Sequence, residues 1–168
     1  MNPMRDVKIE KVTLNIGVGE GGDKLVKAEK VMEKIMGRKP TRTFAKKSVR
    51  DFKIRLADPI GCKATFRGQE AEKILKRTFE AVEKKLSSRV FDTQGNFSFG
   101  VKEHIDIAGV DYDPETGIFG MDVCVTLCRP GYRIKHRRCK QRDIPAAHRV
   151  TKDDAINFVS QKFGVQVV

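Results

Sequence analysis

Residues 11–22, KVTLNIGVGEGG, constrain this chain more than any other stretch: an alternating apolar and polar run breaks into four glycines, after which helical periodicity begins. Successive side chains of a strand point to opposite faces. Val12, Leu14 and Ile16 therefore share one side, and Lys11, Thr13 and Asn15 share the other. The first side suits a core. The second offers an ammonium, a hydroxyl and an amide, groups that bind phosphate, ribose or base edges, and it predicts a sheet whose polar face meets RNA.

The 168 residues suffice for one domain with a sizeable core. At 39% hydrophobic and 33% charged, the chain is expected to be soluble. No apolar run approaches the roughly 20 residues that span a bilayer. The start, MNPMRDVKIE, is polar and predicts no secretory leader, so an intracellular protein is expected.

The net charge of +12 is concentrated. Residues 38–55 hold eight Lys or Arg against one acid, Asp51, and residues 129–142 hold seven and no acid. These two stretches carry more positive charge than the whole chain, so the remainder is slightly acidic. A merely solvated surface would mix the signs, whereas two concentrated patches are the electrostatic footprint of a polyanion partner. Neither patch has the apolar helical stripe of a membrane-surface helix, so no membrane partner is expected.

Cys62, Cys124, Cys128 and Cys139 contain no CxxC pair and no clustered histidines, which predicts reduced, packed thiols and no metal site.

Residues 7–16 read as a strand whose alternation slips between Ile9 and Val12, the mark of a bulge. Asp23 is expected to cap a helix carrying Leu25, Ala28, Met32 and Ile35, closed by Gly37. The first basic stretch begins extended, and Phe52, Ile54 and Leu56 alternate at its end. Cys62, Ala64 and Phe66 alternate with Lys63, Thr65 and Arg67 in the cleanest half-buried strand, whose polar face repeats the chemistry of the first. A helix follows, with a stripe from Ala71 through Ile74, Leu75, Thr78, Phe79 and Val82 to Leu86. Phe97, Phe99 and Val101, and then Phe119, Met121, Val123, Val125 and Leu127, mark two more strands. Thr151 and Asp154 resemble a capping box for a last helix that carries Ile156, Val159 and Phe163 and stops at Gly164. These elements predict an α+β fold in one domain, residues 1–168: a mainly antiparallel sheet with helices packed on one face and a polar, RNA-facing opposite face. Basic segments at about 38–58 and 129–150 are expected to project from it.

Gly17, Gly19 and Gly22 satisfy GxGxxG between a strand and a helix, which opens an alternative: a small nucleotide-binding enzyme using the 17–22 glycine loop. A basic extended segment follows the helix where that motif needs a second parallel strand, and no acidic residue is placed to hold a ribose. A third alternative is a general RNA chaperone without a fixed site. His104, beside Glu103 and Asp106, reads as a surface strand end, and His136 and His148 as additions to the second basic patch. Phe97 and Phe99 share parity with Val101, so they read as core residues, and RNA recognition is expected to rest on polar and phosphate contacts. No catalytic residue, metal or cofactor is expected.

The stretches NPMRDVKIEKVTLNIGVGEGGDKL, AKKSVRDFKIR, PIGCKATFRG, FDTQGNFSFGVKEHIDIAGVDYDP and GIFGMDV, in this order along nearly the whole chain, closely resemble the universal large-subunit ribosomal protein five family. RPGYRIKHRRCKQRD is similar to its archaeal and eukaryotic branch, and the whole resembles the archaeal form. The resemblance implies a structural protein of the central protuberance that binds 5S rRNA and helps attach it to large-subunit rRNA. It further implies contact with P-site tRNA, a bridge to a small-subunit protein across the subunit interface, and neighbouring large-subunit proteins as partners.

By resemblance, Lys11, Thr13 and Asn15, with Lys46, Lys47 and Ser48, match RNA-facing stretches, and Asn96 and Ser98 match a GNFSFG-type motif. Residues 49–60 match the loop that approaches tRNA, with Arg50, Lys53 and Arg55 as its phosphate contacts. Charge and strand parity add Arg42, Lys63, Thr65 and Arg67 to the RNA-binding set. The second patch adds Arg133, Lys135, Arg137, Arg138 and Lys140.

Overall fold

The computed structural model describes residues 2–168; Met1, the first residue of the expected single-domain span, lies outside them. Strand β1 (Lys8–Gly17) is the middle of a five-stranded sheet. On one side it pairs antiparallel with β3 (Pro59–Phe66), which pairs with the edge strand β2 (Thr41–Phe44). On the other it pairs antiparallel with β6 (Met121–Cys128), which pairs with β5 (Phe97–Val101). The expected slip in β1 is a register shift between Ile9 and Lys11 against β6. A separate parallel pair joins β4 (Lys85–Leu86) to β7 (Gln166–Val167).

On one face β1, β3, β5 and β6 present buried apolar side chains: Val12, Leu14 and Ile16 of β1 lie among Phe66, Phe97, Phe99, Val123 and Val125. Helices α1 (Asp23–Met36), α2 (Gly68–Ala81) and α4 (Lys152–Phe163) cover it with Leu25, Met32, Leu75, Phe79 and Val159, and a one-turn helix α3 (Arg133–His136) lies in the second basic segment. Phe79 is the hub. It stacks with Phe97 and Phe99 at centroid distances of 6.3 and 5.3 Å and meets Phe163 edge-on at 5.3 Å. Both α1 and α4 end on a left-handed glycine, Gly37 and Gly164, whose N–H groups donate to Glu33 and Ser160. Thr151 and Asp154 form the capping box of α4.

Four expectations need correction. Asp23 does not cap α1; Gly22 is the capping residue, and Asp23 begins the helix, where its carboxylate complements the positive dipole end. The α2 stripe stops short of Leu86 because the chain turns through left-handed Glu83 and Lys84 and puts Leu86 in β4. His104 is no surface residue: it is 2% exposed. Of the four free thiols only Cys62 is fully packed, and burial pushes it up to about 11; Cys128 is half-buried, and Cys124 and Cys139 are exposed.

Candidate nucleic-acid interface

The antiparallel register aligns the polar sides of the strands into rows. One row runs Thr41, Lys63, Asn15, Asp122 and Gly100 from edge to edge, and the next runs Thr65, Thr13, Cys124 and Ser98. Thr13 and Thr65 bring their hydroxyls to 3.4 Å. Lys11 lies opposite Thr126 at the bulge, and Arg67, at the end of β3, reaches Glu10 at 3.9 Å. Small hydroxyls, a thiol and a glycine make this a low surface. A nucleic-acid backbone can therefore approach it closely, with Lys11, Asn15 and Lys63 standing on it. Among the described residues the three long helices contribute their buried residues to the opposite, apolar side, and only the Lys11–Thr126 end of this face is approached by a short helix, through Lys135 and His136.

Arg42 is placed elsewhere. It pairs in register with Cys62, a core-side residue, so its guanidinium turns to the helical face and forks onto Glu29, with Nη2 at 3.0 Å from Oε2. That fork holds the Glu29 carboxyl below its usual range. Arg38 is likewise engaged: it donates to the Thr65 carbonyl at 2.9 Å and lies 4.6 Å over the Phe66 ring.

The rest of the first basic segment forms a loop at the sheet edge. Val49 and Ile54 exchange backbone hydrogen bonds at 2.9 and 3.1 Å, making a short hairpin. Its base is tied by Ala45 and Asp58, and the Ser48 hydroxyl accepts the Leu56 N–H at 2.8 Å. The apparent alternation at Phe52, Ile54 and Leu56 is thus a turn: Phe52 and Leu56 are 74% and 64% exposed. Lys46, Lys47, Arg50, Lys53 and Arg55 surround this tip without an ion-pair partner among the described residues. A tip with five unneutralised cations and an exposed aromatic ring is chemically suited to phosphates and base faces.

The second basic segment folds back onto the end of the sheet. Arg129 binds Asp154 at 2.8 Å and the Arg149 carbonyl at 3.3 Å. Tyr132 accepts the Val150 N–H at 2.9 Å, and the His148 ring meets the Pro130 carbonyl at 2.9 Å, so His148 closes this segment on itself. Ile144 and Val150 are buried. Gly95 permits that closure: its φ of +75° favours glycine, and a Cβ there would lie 2.5 Å from Val150. Arg137 donates to the Lys140 carbonyl at 2.8 Å and thereby steadies the exposed stretch, in which Arg133, Lys135, Arg138 and Lys140 have no acidic partner among the described residues. Lys11, Asn96 and Lys135 meet around one pocket.

The glycine loop lacks the geometry of a dinucleotide site. The N–H groups of Val18 and Gly19 both donate to the Ile60 carbonyl, at 3.0 and 2.9 Å, so they are occupied. Both neighbours of β1 run antiparallel to it, whereas the motif requires a parallel β-α-β unit.

Comparison with known proteins places this architecture. The family model described as ribosomal protein L5 matches residues 2–55, and the model for the C-terminus of the same ribosomal family matches residues 59–158. The chain belongs to the ribosomal protein L5 family. Large ribosomal subunit protein uL5 of Methanosphaera stadtmanae is 48% identical to it, over 99% of each chain. The protein of the same name from Methanococcus aeolicus is 51% identical over 98% of this chain and 93% of its own. That from Sulfolobus acidocaldarius is 50% identical over 99% and 94%. As a member of the ribosomal protein L5 family, the chain is a protein of a cytoplasmic ribonucleoprotein that carries out translation. The two matched stretches meet at the base of the basic loop, yet their strands interleave, because β1 lies between β3 and β6.

Proposed function

We propose that this structural constituent of the large ribosomal subunit binds 5S rRNA through the polar face of its sheet and helps attach it to large-subunit rRNA in the central protuberance. The observation that carries the reading is that face: rows of small polar side chains in register, studded with Lys11, Asn15 and Lys63, and bordered by two groups of unneutralised cations. Folded RNA is read mainly by shape, through phosphate and 2′-hydroxyl contacts, because its base edges lie in a narrow major groove. A low face of hydroxyls and amides between cationic borders suits that mode. The protein acts by positioning, without catalysis.

The basic hairpin at residues 45–58 contacts P-site tRNA, with Arg50, Lys53 and Arg55 on its phosphates. The bridge to a small-subunit protein uses a different chemistry. Residues 103–115 carry Glu103, Asp106, Asp111, Asp113 and Glu115, with exposed Tyr112 and Ile118 beside them, which suits a basic protein segment and repels RNA.

Binding of the purified full chain to 5S rRNA, against a structured RNA of the same length, tests the reading at several salt concentrations. With six to eight phosphate contacts, log K falls against log salt with a slope of about −4 to −7. A flat slope would refute the electrostatic part of the proposal.

A further inference from the structure

We propose that the pocket between the sheet end and the second basic segment receives one unpaired, amino-bearing nucleobase of the partner RNA; this rests on the reading of the polar face as an RNA surface. The pocket has a volume of about 260 Å³. An apolar cavity of about 150 Å³ already admits benzene, so a base with part of its ribose fits. Lys11 and Asn96 line it from the sheet side, and Tyr132, Lys135 and Asp143 from the other.

Its walls are set before any ligand arrives. Tyr132 is held by the Val150 N–H at 2.9 Å, the Arg149 guanidinium by the Ile144 carbonyl at 3.0 Å, and Val150 is seated on Gly95. A cavity that keeps its shape binds without the cost of ordering a loop.

The donors and acceptors select the ligand. Lys11 and Lys135 suit the phosphates on either side of a splayed nucleotide, and the Asn96 amide suits a base edge. Two carboxylates, Glu10 and Asp143, also line the pocket. They repel a phosphate placed inside it and accept hydrogen bonds from exocyclic amino groups, which guanine, adenine and cytosine carry and uracil lacks. Asp143 is the first acid after the seven cations of residues 129–142, and it lies where those cations turn back to the sheet.

The test is a chemical footprint of 5S rRNA, and of a large-subunit rRNA fragment, with the full chain bound. Dimethyl sulfate reads the pairing edges of adenine and cytosine, and kethoxal reads guanine. The inference predicts one unpaired A, C or G protected by the protein and exposed again with Asp143→Asn and with Asn96→Ala, while the backbone footprint of the sheet face persists. About tenfold weaker binding accompanies the loss, the scale of one base contact. Asp143 is exposed, so Asp143→Asn leaves the fold intact, and thermal unfolding of each variant verifies this. A sheet-face footprint with no such nucleotide, or protection unchanged in both variants, overturns the pocket inference alone. No footprint at all overturns the RNA-face reading beneath it.

Discussion

His104 and Phe119 clamp each other twice: the His104 N–H donates to the Phe119 carbonyl at 3.0 Å, and the His104 Nδ1 accepts the Phe119 N–H at 3.3 Å. The ring is buried, and burial, which disfavours the charged form, lowers its pKa below the ordinary 6.5. An imidazolium has no lone pair to accept the Phe119 N–H. The folded state therefore binds its proton less readily than the unfolded chain, so this contribution to stability is complete above about pH 6.5 and is lost as pH falls through the lower folded value. Denaturant unfolding of His104→Gln should show a shallower loss of stability between pH 7.5 and 5 than the unsubstituted chain. Parallel curves would contradict the clamp.

Phe79 joins β5 to α2 and α4 through three ring contacts and is 1% exposed. Phe79→Ala should cost about 3–5 kcal/mol by calorimetry or denaturant melting, the range for emptying a large buried aromatic site. Phe52→Ala, at the exposed tip of the basic hairpin, should change stability by less than about 0.5 kcal/mol.

Gly95→Ala combines a left-handed backbone with a clash against Val150. A cost of about 1–3 kcal/mol is expected. Because Val150 holds the second basic segment down, protease nicking at residues 133–142 should accelerate. Unchanged nicking would show that the segment is held independently of Gly95.

A fragment of residues 59–168 contains the whole second matched stretch but lacks β1. Removing β1 separates β3 from β6 and uncovers the core face, so the fragment should show no cooperative melt alone and should recover one when residues 1–58 are added. A cooperative melt by itself would mean that the two stretches fold separately.

Loop and sheet face should separate in function. Arg50→Ala, Lys53→Ala and Arg55→Ala together should leave 5S rRNA affinity within about threefold while weakening tRNA retention in the P site of reconstituted ribosomes. Equal losses in both assays would assign the loop to 5S rRNA.

Much of this was legible because strand parity and helical spacing are local. The alternation of residues 12–16, 62–66, 97–101 and 121–127 assigns both the core and the polar face, and the four strands pair so that Lys11, Thr13, Asn15, Lys63, Thr65 and Ser98 share one surface. What escaped depends on distant partners. Arg42 belongs to a charge run, but its register against Cys62 sends it to Glu29. His104 is buried by a strand-like contact 15 residues away. Strands β4 and β7 are two residues each, too short for any period. The return of residues 129–150 to the sheet turns on Gly95 and Val150, 55 positions apart, and its only sequence signal is a glycine in a polar turn beside buried Ile144 and Val150.

The most direct measurement is the affinity of the full chain for 5S rRNA relative to a structured RNA of equal length, with and without Lys11→Ala/Asn15→Ala. Both residues sit on β1 in the middle of the polar face, and neither belongs to the buried core. A preference for 5S rRNA of tenfold or more, about 1.4 kcal/mol, that disappears in the double variant is the predicted result. Equal binding to both RNAs, or a preference untouched by the substitutions, would contradict the claim that the sheet face is the specific RNA site.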